Sequence, residues 1–67
     1  MNLNKISNFI KTKRKELGIT QDALAEKLFV TEKAISRWET GRGTPDISLL
    51  LPLSKELNVD VSELLNG

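Results

Sequence analysis

Lys33, Ser36, Arg37 and Thr40 lie close together in the middle of the chain, at spacings that gather them on one side of a helix turning about 100° per residue. Ala34, Ile35 and Trp38 fall on the other side. The polar side combines two cations with two small hydroxyl residues, long donors beside groups that allow close approach. That chemistry donates hydrogen bonds to an anionic or acceptor-bearing partner. It is not the chemistry of a catalyst, because the sequence contains no cysteine and no histidine, and a chain this short does not enclose a cleft. A disulfide framework and a zinc finger are excluded for the same lack of ligands. No enzyme, metal or cofactor is expected, and no small-molecule site is evident.

Two short helices must position these residues. Thr31 reads as an N-cap for the second, Glu32 suits the positive end of its dipole, and Gly41 closes it as a left-handed C′ residue. Thr20 caps the first, with Asp22 in its opening turn and Leu24, Ala25 and Leu28 on its inner face. Ala25 is small enough to let the second helix cross closely. Only Phe29 and Val30 separate Leu28 from Thr31, so the chain turns sharply between the helices, as in a helix-turn-helix.

The pattern TQ-x-x-LA-x-x-L-x-V-T-x-x-x-I-S-R-W-E-x-G resembles the helix-turn-helix of the phage-repressor and Cro type, the XRE-like bacterial regulators. The resemblance extends from the basic first helix through Pro45-Asp46 to Ser62–Leu65. It implies an all-α, compact five-helix, lambda-repressor-like domain whose third helix enters the major groove of operator DNA, usually as a two-fold dimer. By matched position it assigns base contact to Glu32, Lys33 and Arg37, with Ser36 within reach of bases, and backbone contact to Gln21. Thr31 and Thr40 join Gln21 as expected backbone contacts. Each fits its chemistry: Lys and Arg donate to guanine O6 and N7, Glu accepts from cytosine N4, and Gln21 stands at an anion-friendly helix start. Arg14 and Glu39 match a pair that bridges the first and third helices. Phe29, Thr40 and Pro52 depart from the family pattern. Phe29 stands where a turn glycine is usual and is expected to hold a positive φ at a cost of about 1 kcal/mol, with packing of its ring as the offset.

The rest of the chain supports a single domain over residues 1–67, with the motif at about 20–41. At this size only roughly 60% of the unfolded surface is buried, so the margin of stability is thin. The first helix carries Ile6, Phe9, Ile10 and Leu17 as an apolar stripe, with Asn4 as its cap after a short arm at 1–4 and Gly18 as its stop. Asp46 caps a fourth helix with Ile47, Leu50, Leu53 and Leu57 inward, leaving Leu49 and Leu51 surplus, and Pro52 predicts a kink near Ser48. Asn58 ends that helix and Val59 fills a gap. Asp60 and Glu63 form a capping box for a fifth, and Leu64 and Leu65 close the core.

Net charge is only +1, but it is unevenly placed: residues 5–42 hold nine Lys or Arg against five Asp or Glu, and residues 43–67 hold one against four. A basic half is expected if the first three helices face phosphates. Arg42 with the amides of Gly43 and Thr44 can hold a phosphate, or the segment is a plain connecting turn. Trp38 lies on the Ile35 side and reads as core rather than as a stacking platform. No signal peptide or long apolar run is present, so a cytoplasmic chain with no membrane partner is expected. The leading function is sequence-specific binding of double-stranded DNA by a transcriptional regulator, a repressor in the first instance. A homodimer on DNA is expected, with Leu49, Leu51, Val61 and Glu63 between copies. The alternative is a protein-interaction module, such as an antitoxin or the head domain of a longer sensor, because a fold alone does not decide function.

Overall fold

The computed structural model describes residues 3–66, with side chains from Asn4 onward. Five helices follow one another: α1 Leu3–Glu16, α2 Gln21–Leu28, α3 Glu32–Glu39, α4 Ile47–Glu56 and α5 Val61–Asn66. No strand occurs among the described residues.

Side-chain caps begin the helices as the sequence predicts. Thr20 Oγ1 accepts from the Ala23 amide at 3.0 Å, and Thr31 Oγ1 from the Ala34 amide at 3.2 Å. Asp46 Oδ2 takes the Ser48 amide at 3.1 Å and the Ser48 hydroxyl at 2.6 Å, which holds the Asp46 carboxyl below its ordinary pKa. At α5 the capping box closes in both directions, Glu63 amide to Asp60 at 2.8 Å and Asp60 amide to Glu63 at 3.2 Å. Caps of this kind are worth about 1 kcal/mol each. α1 is the exception: Asn4 lies inside the helix rather than before it. There it lies against the end of α3, where a Cβ on Gly41 would sit 3.4 Å from Asn4 Oδ1 and 3.6 Å from Ser7 Oγ. The first turn of α1 is thus packed against the end of α3. The remainder of the expected arm, residues 1 and 2, lies outside the described residues.

One stop recurs at the other ends. Gly18, Phe29, Gly41 and Asn58 all hold positive φ, between 58° and 75°. In each case the next amide reaches back five residues: Ile19 to Arg14, Val30 to Ala25, Arg42 to Arg37 and Val59 to Ser54, at 2.9 to 3.3 Å. This is the Schellman arrangement, which satisfies carbonyls the helix end would leave bare. Ile19, Val30 and Val59 then pack on the core, whereas Arg42 is exposed.

The core is Ile6, Ile10, Leu24, Ala25, Leu28, Ile35, Trp38, Leu53, Leu57 and Leu64. Three expected members are missing: Leu17, Ile47 and Leu65, the last half-buried on the rim of a surface groove while Leu64 alone of the pair enters the core. Leu17 is 44% exposed, because α1 stops at Glu16 and the left-handed Gly18 turns the chain so that Ile19 packs inward instead. Ile47 is 83% exposed: it is the first residue of α4, and a side chain there tilts back past the helix end rather than onto the core. It borders an apolar groove with Ile6, Pro45, Leu50, Leu64 and Leu65. Leu49, expected as surplus, is half-buried against the core. α4 runs on through Pro52 as one helix, although Pro52 has no amide to give the Ser48 carbonyl; both residues are exposed. Ser54 is buried and donates its hydroxyl to the Leu51 carbonyl at 2.7 Å.

Candidate nucleic-acid interface

The inner side of α3 is anchored by Ile35 and Trp38, both buried, which commits the opposite side to solvent. Trp38 is core and unavailable for stacking. Lys33, Ser36, Arg37, Thr40 and Arg42 line one shallow, open depression on the outer side. Glu32 is exposed in the first turn of the same helix.

Among the described residues the ion pairs are Lys13–Glu16, Arg14–Glu39 and Lys27–Glu56, so Lys33, Arg37 and Arg42 are committed to none. Three cations line one depression whose lining holds no acidic residue, so they repel one another and favour an external anion. Thr40 differs from the rest, since its hydroxyl already donates to the Ser36 carbonyl at 2.9 Å and has only acceptor capacity left. The Thr31 oxygen accepts in its cap and keeps its proton for an outside acceptor. Gly43 and Thr44 follow Arg42, with Gly43 half-buried and Thr44 exposed.

The angle of α3 is set by Arg14 and Glu39. Arg14 Nε and Nη2 donate to the two Glu39 carboxylate oxygens at 2.6 and 2.9 Å, and Nη1 donates to the Ile19 carbonyl at 2.9 Å. Both residues are buried. The Glu39 hydrogen bond, opposed by desolvation and aided by the carboxylate charge, raises the Arg14 pKa above its already high value, so Arg14 keeps its charge. Bidentate geometry of this kind fixes direction as well as distance. It ties α1 to the far end of α3, and its Ile19 bond ties both to the loop before α2.

Gln21 is part of this network, which sequence reasoning did not anticipate. Its Nε2 donates to Glu39 Oε1 at 3.1 Å, so the side chain at the start of α2 is half-buried and aimed by the same carboxylate. A signal was available: a buried carboxylate has more lone pairs than one arginine edge fills and so calls for a further donor. The amide nitrogen keeps a second proton. The turn between α2 and α3 has the expected left-handed residue, Phe29 at φ 58° and ψ 41°. Its ring is 94% exposed, however, so the expected offset from packing is absent: with Val30 reaching the core, Phe29 points out of the turn.

Of the residues expected between copies, Leu51 is exposed, Leu49 and Val61 are half-buried, and Glu63 is occupied in the cap of α5. No helix among the described residues is long and apolar enough to cross a membrane.

A helix-turn-helix family model matches residues 10–64. The HTH-type transcriptional activator BcrR of Enterococcus faecalis is 47% identical over 50 residues, covering 75% of this chain and 24% of its own length. Repressor protein C2 of Salmonella phage P22 is 39% identical over 67 residues, covering 100% of this chain and 31% of its own. The present chain therefore spans only about a quarter to a third of these two relatives. The P22 c2 repressor, in a crystal structure with a synthetic operator, matches the fold with a TM-score of 0.88 at 39% identity, over 92% of this chain and 94% of that one.

Proposed function

Because the chain belongs to the helix-turn-helix family, we propose that it binds double-stranded DNA sequence-specifically as a transcriptional regulator of repressor type, with α3 in the major groove. The observation that carries this reading is the depression on α3, where Lys33, Arg37 and Arg42 stand without protein counterions beside Ser36 and Thr40. Lys33 and Arg37 are four residues apart and stack along the middle of the exposed arc, which suits them to guanine edges. Glu32 and Ser36 flank them as further base contacts. Gln21, Thr31, Arg42, Gly43 and Thr44 lie on helix starts and the loop after α3, positions suited to the phosphates on either side, and Thr40 at the end of α3 joins them by turning its hydroxyl from the Ser36 carbonyl to a phosphate oxygen. Gln21 is held ready for that task by Glu39.

The domain works in the cytoplasm, does not catalyse a reaction, and engages DNA as a homodimer whose half-site centres lie about 34 Å apart. Leu49, Leu51, Val61 and Glu63 remain the residues proposed between copies, with exposed Leu51 as the apolar element among them.

The test is a titration of random-sequence duplex at several salt concentrations, followed by selection of sites from random DNA. Binding that falls steeply with salt is expected, because Lys, Arg and amide contacts to phosphate release counterions. Absence of binding at low salt, or indifference to salt, would favour the protein-interaction reading. Selected sites without inverted symmetry would remove the dimer.

A further inference from the structure

The Arg37 guanidinium lies beside Gly43, in the loop that follows α3. A Cβ built on Gly43 would lie 3.6 Å from Arg37 Nη2, 3.7 Å from Nε and 3.9 Å from Cζ. Nε and Nη2 are both nearer than Cζ, so the Nε–Nη2 edge of the guanidinium is the one turned toward the loop. Arg14 uses that same edge on Glu39. In Arg37 it faces no acceptor, only the space where a side chain at 43 would stand. Nη1 is not among the three atoms nearest that position, so it lies on the side of the guanidinium away from Gly43.

We propose that Gly43 is a positioning residue for base readout: by having no side chain it leaves the seat in which the Arg37 guanidinium lies, and so sets the direction of the Arg37 fork. This rests on the reading of Arg37 as a base contact. A long, flexible arginine in an open depression would otherwise sample many rotamers, and ordering them on binding would weaken the preference it can enforce. Lying beside Gly43, with the Nε–Nη2 edge turned to it, the guanidinium gives up part of that freedom before DNA arrives. Gly43 does not hold a positive φ, unlike Gly41, so a side chain at 43 meets the guanidinium without straining the backbone. A methyl group would just touch the arginine, whereas γ atoms would enter the space it fills.

The experiment uses the whole chain and a panel of single-base changes in the site selected from random DNA. Gly43→Ala, Gly43→Val, Gly43→Leu and Arg37→Ala are compared, together with Gly43→Val made in the Arg37→Ala background. Arg37→Ala is expected to flatten the preference at one base pair per half-site by about tenfold or more. Gly43→Val and Gly43→Leu are expected to flatten that same base pair, Gly43→Ala less so. The salt dependence should persist, because the amide at 43 is retained. In the Arg37→Ala background, Gly43→Val should change nothing further at that position. If Arg37→Ala flattens the position and Gly43→Val and Gly43→Leu both leave it intact, the positioning role is overturned and base contact by Arg37 stands. A uniform loss across the panel for the Gly43 variants overturns it equally, since that is the signature of a disturbed loop. If Arg37→Ala flattens no position, base contact itself falls, and the role of Gly43 with it.

Discussion

Phe29→Gly is expected to stabilise the protein. Phe29 holds φ 58° and ψ 41° as the left-handed residue between α2 and α3. A residue with a Cβ pays about 1 to 2 kcal/mol in that conformation. Against this stands whatever the ring contributes by burial. Full burial of a phenylalanine is worth about 1.5 to 3 kcal/mol, but with the residue 94% exposed only a small share of that, on the order of 0.2 kcal/mol, is realised. Glycine also loses more backbone entropy on folding, about 0.5 to 1 kcal/mol. Taken at their midpoints these terms favour glycine by roughly 0.5 kcal/mol. Phe29→Ala keeps the Cβ and the strain while losing only the exposed ring, so it should fall within about 0.5 kcal/mol of the parent. Urea denaturation reads the difference as a higher midpoint at unchanged slope. A thermal scan should show an increase of a few degrees, at about 4 to 8 °C per kcal/mol for a domain of this size. If Phe29→Gly is less stable than Phe29→Ala, the left-handed strain is not what Phe29 contributes and the argument fails. Asn58→Gly, at φ 60°, is an internal comparison with a smaller expected gain, because asparagine tolerates this region better than phenylalanine.

Arg14→Leu should be severely destabilising, by about 3 to 5 kcal/mol, because it leaves the buried Glu39 carboxylate without its cation; a urea midpoint close to that of the parent would contradict this. Gln21→Ala removes only one bond to Glu39 and should cost nearer 1 kcal/mol in the same assay. Asp46 has its pKa lowered in the folded state, so its contribution is fully present above the unfolded carboxylate pKa of about 4 and is lost as pH falls through the lower folded value. Asp46→Asn should remove that component of the acid limb in denaturation curves recorded from neutral to acid pH, and an unchanged limb would refute it. Arg37→Ala should cost about 1 to 3 kcal/mol on the preferred site with selective loss at one base pair, whereas Arg42→Ala should weaken all sequences alike and lower the salt slope; competition binding against a single-base panel separates the two.

Features that act over two or three residues were legible in the sequence. The caps at Thr20, Thr31, Asp46 and Asp60 need only a short acceptor beside a free amide, and each forms as read. The inner faces of α2 and α3 were legible for a similar reason, since periodicity alone separates Ile35 and Trp38 from Lys33 and Arg37. The Arg14–Glu39 pair spans 25 residues, and only the family resemblance brought its members together. Helix ends were read less well. Leu17 and Ile47 both match an apolar stripe, but each sits at a terminus, where orientation depends on how the neighbouring turn leaves the helix. Asn4 failed as a cap because α1 begins one residue earlier, at Leu3, which places Asn4 inside the first turn. The engagement of Gln21 by Glu39 depends on the crossing of α2 and α3, a tertiary fact that no local pattern encodes.

The repeated helix stop separates what the backbone requires from what the side chain is free to do. At each stop the left-handed residue and the returning amide close the turn, and the side chain of the returning residue takes no part in that closure. After α1, α2 and α4 that side chain is Ile19, Val30 or Val59 and serves as a peg into the interior; after α3 it is Arg42, facing solvent. The same stop therefore serves as fastener three times and leaves its returning side chain in solvent once. The exit from α3 can accept a different head group at 42, acidic, amide or aromatic, while Gly41 keeps the path of the chain unchanged. Affinity for a surface can then be retuned at that position independently of stability, whereas the three pegged exits tie any change of side chain to the integrity of the core.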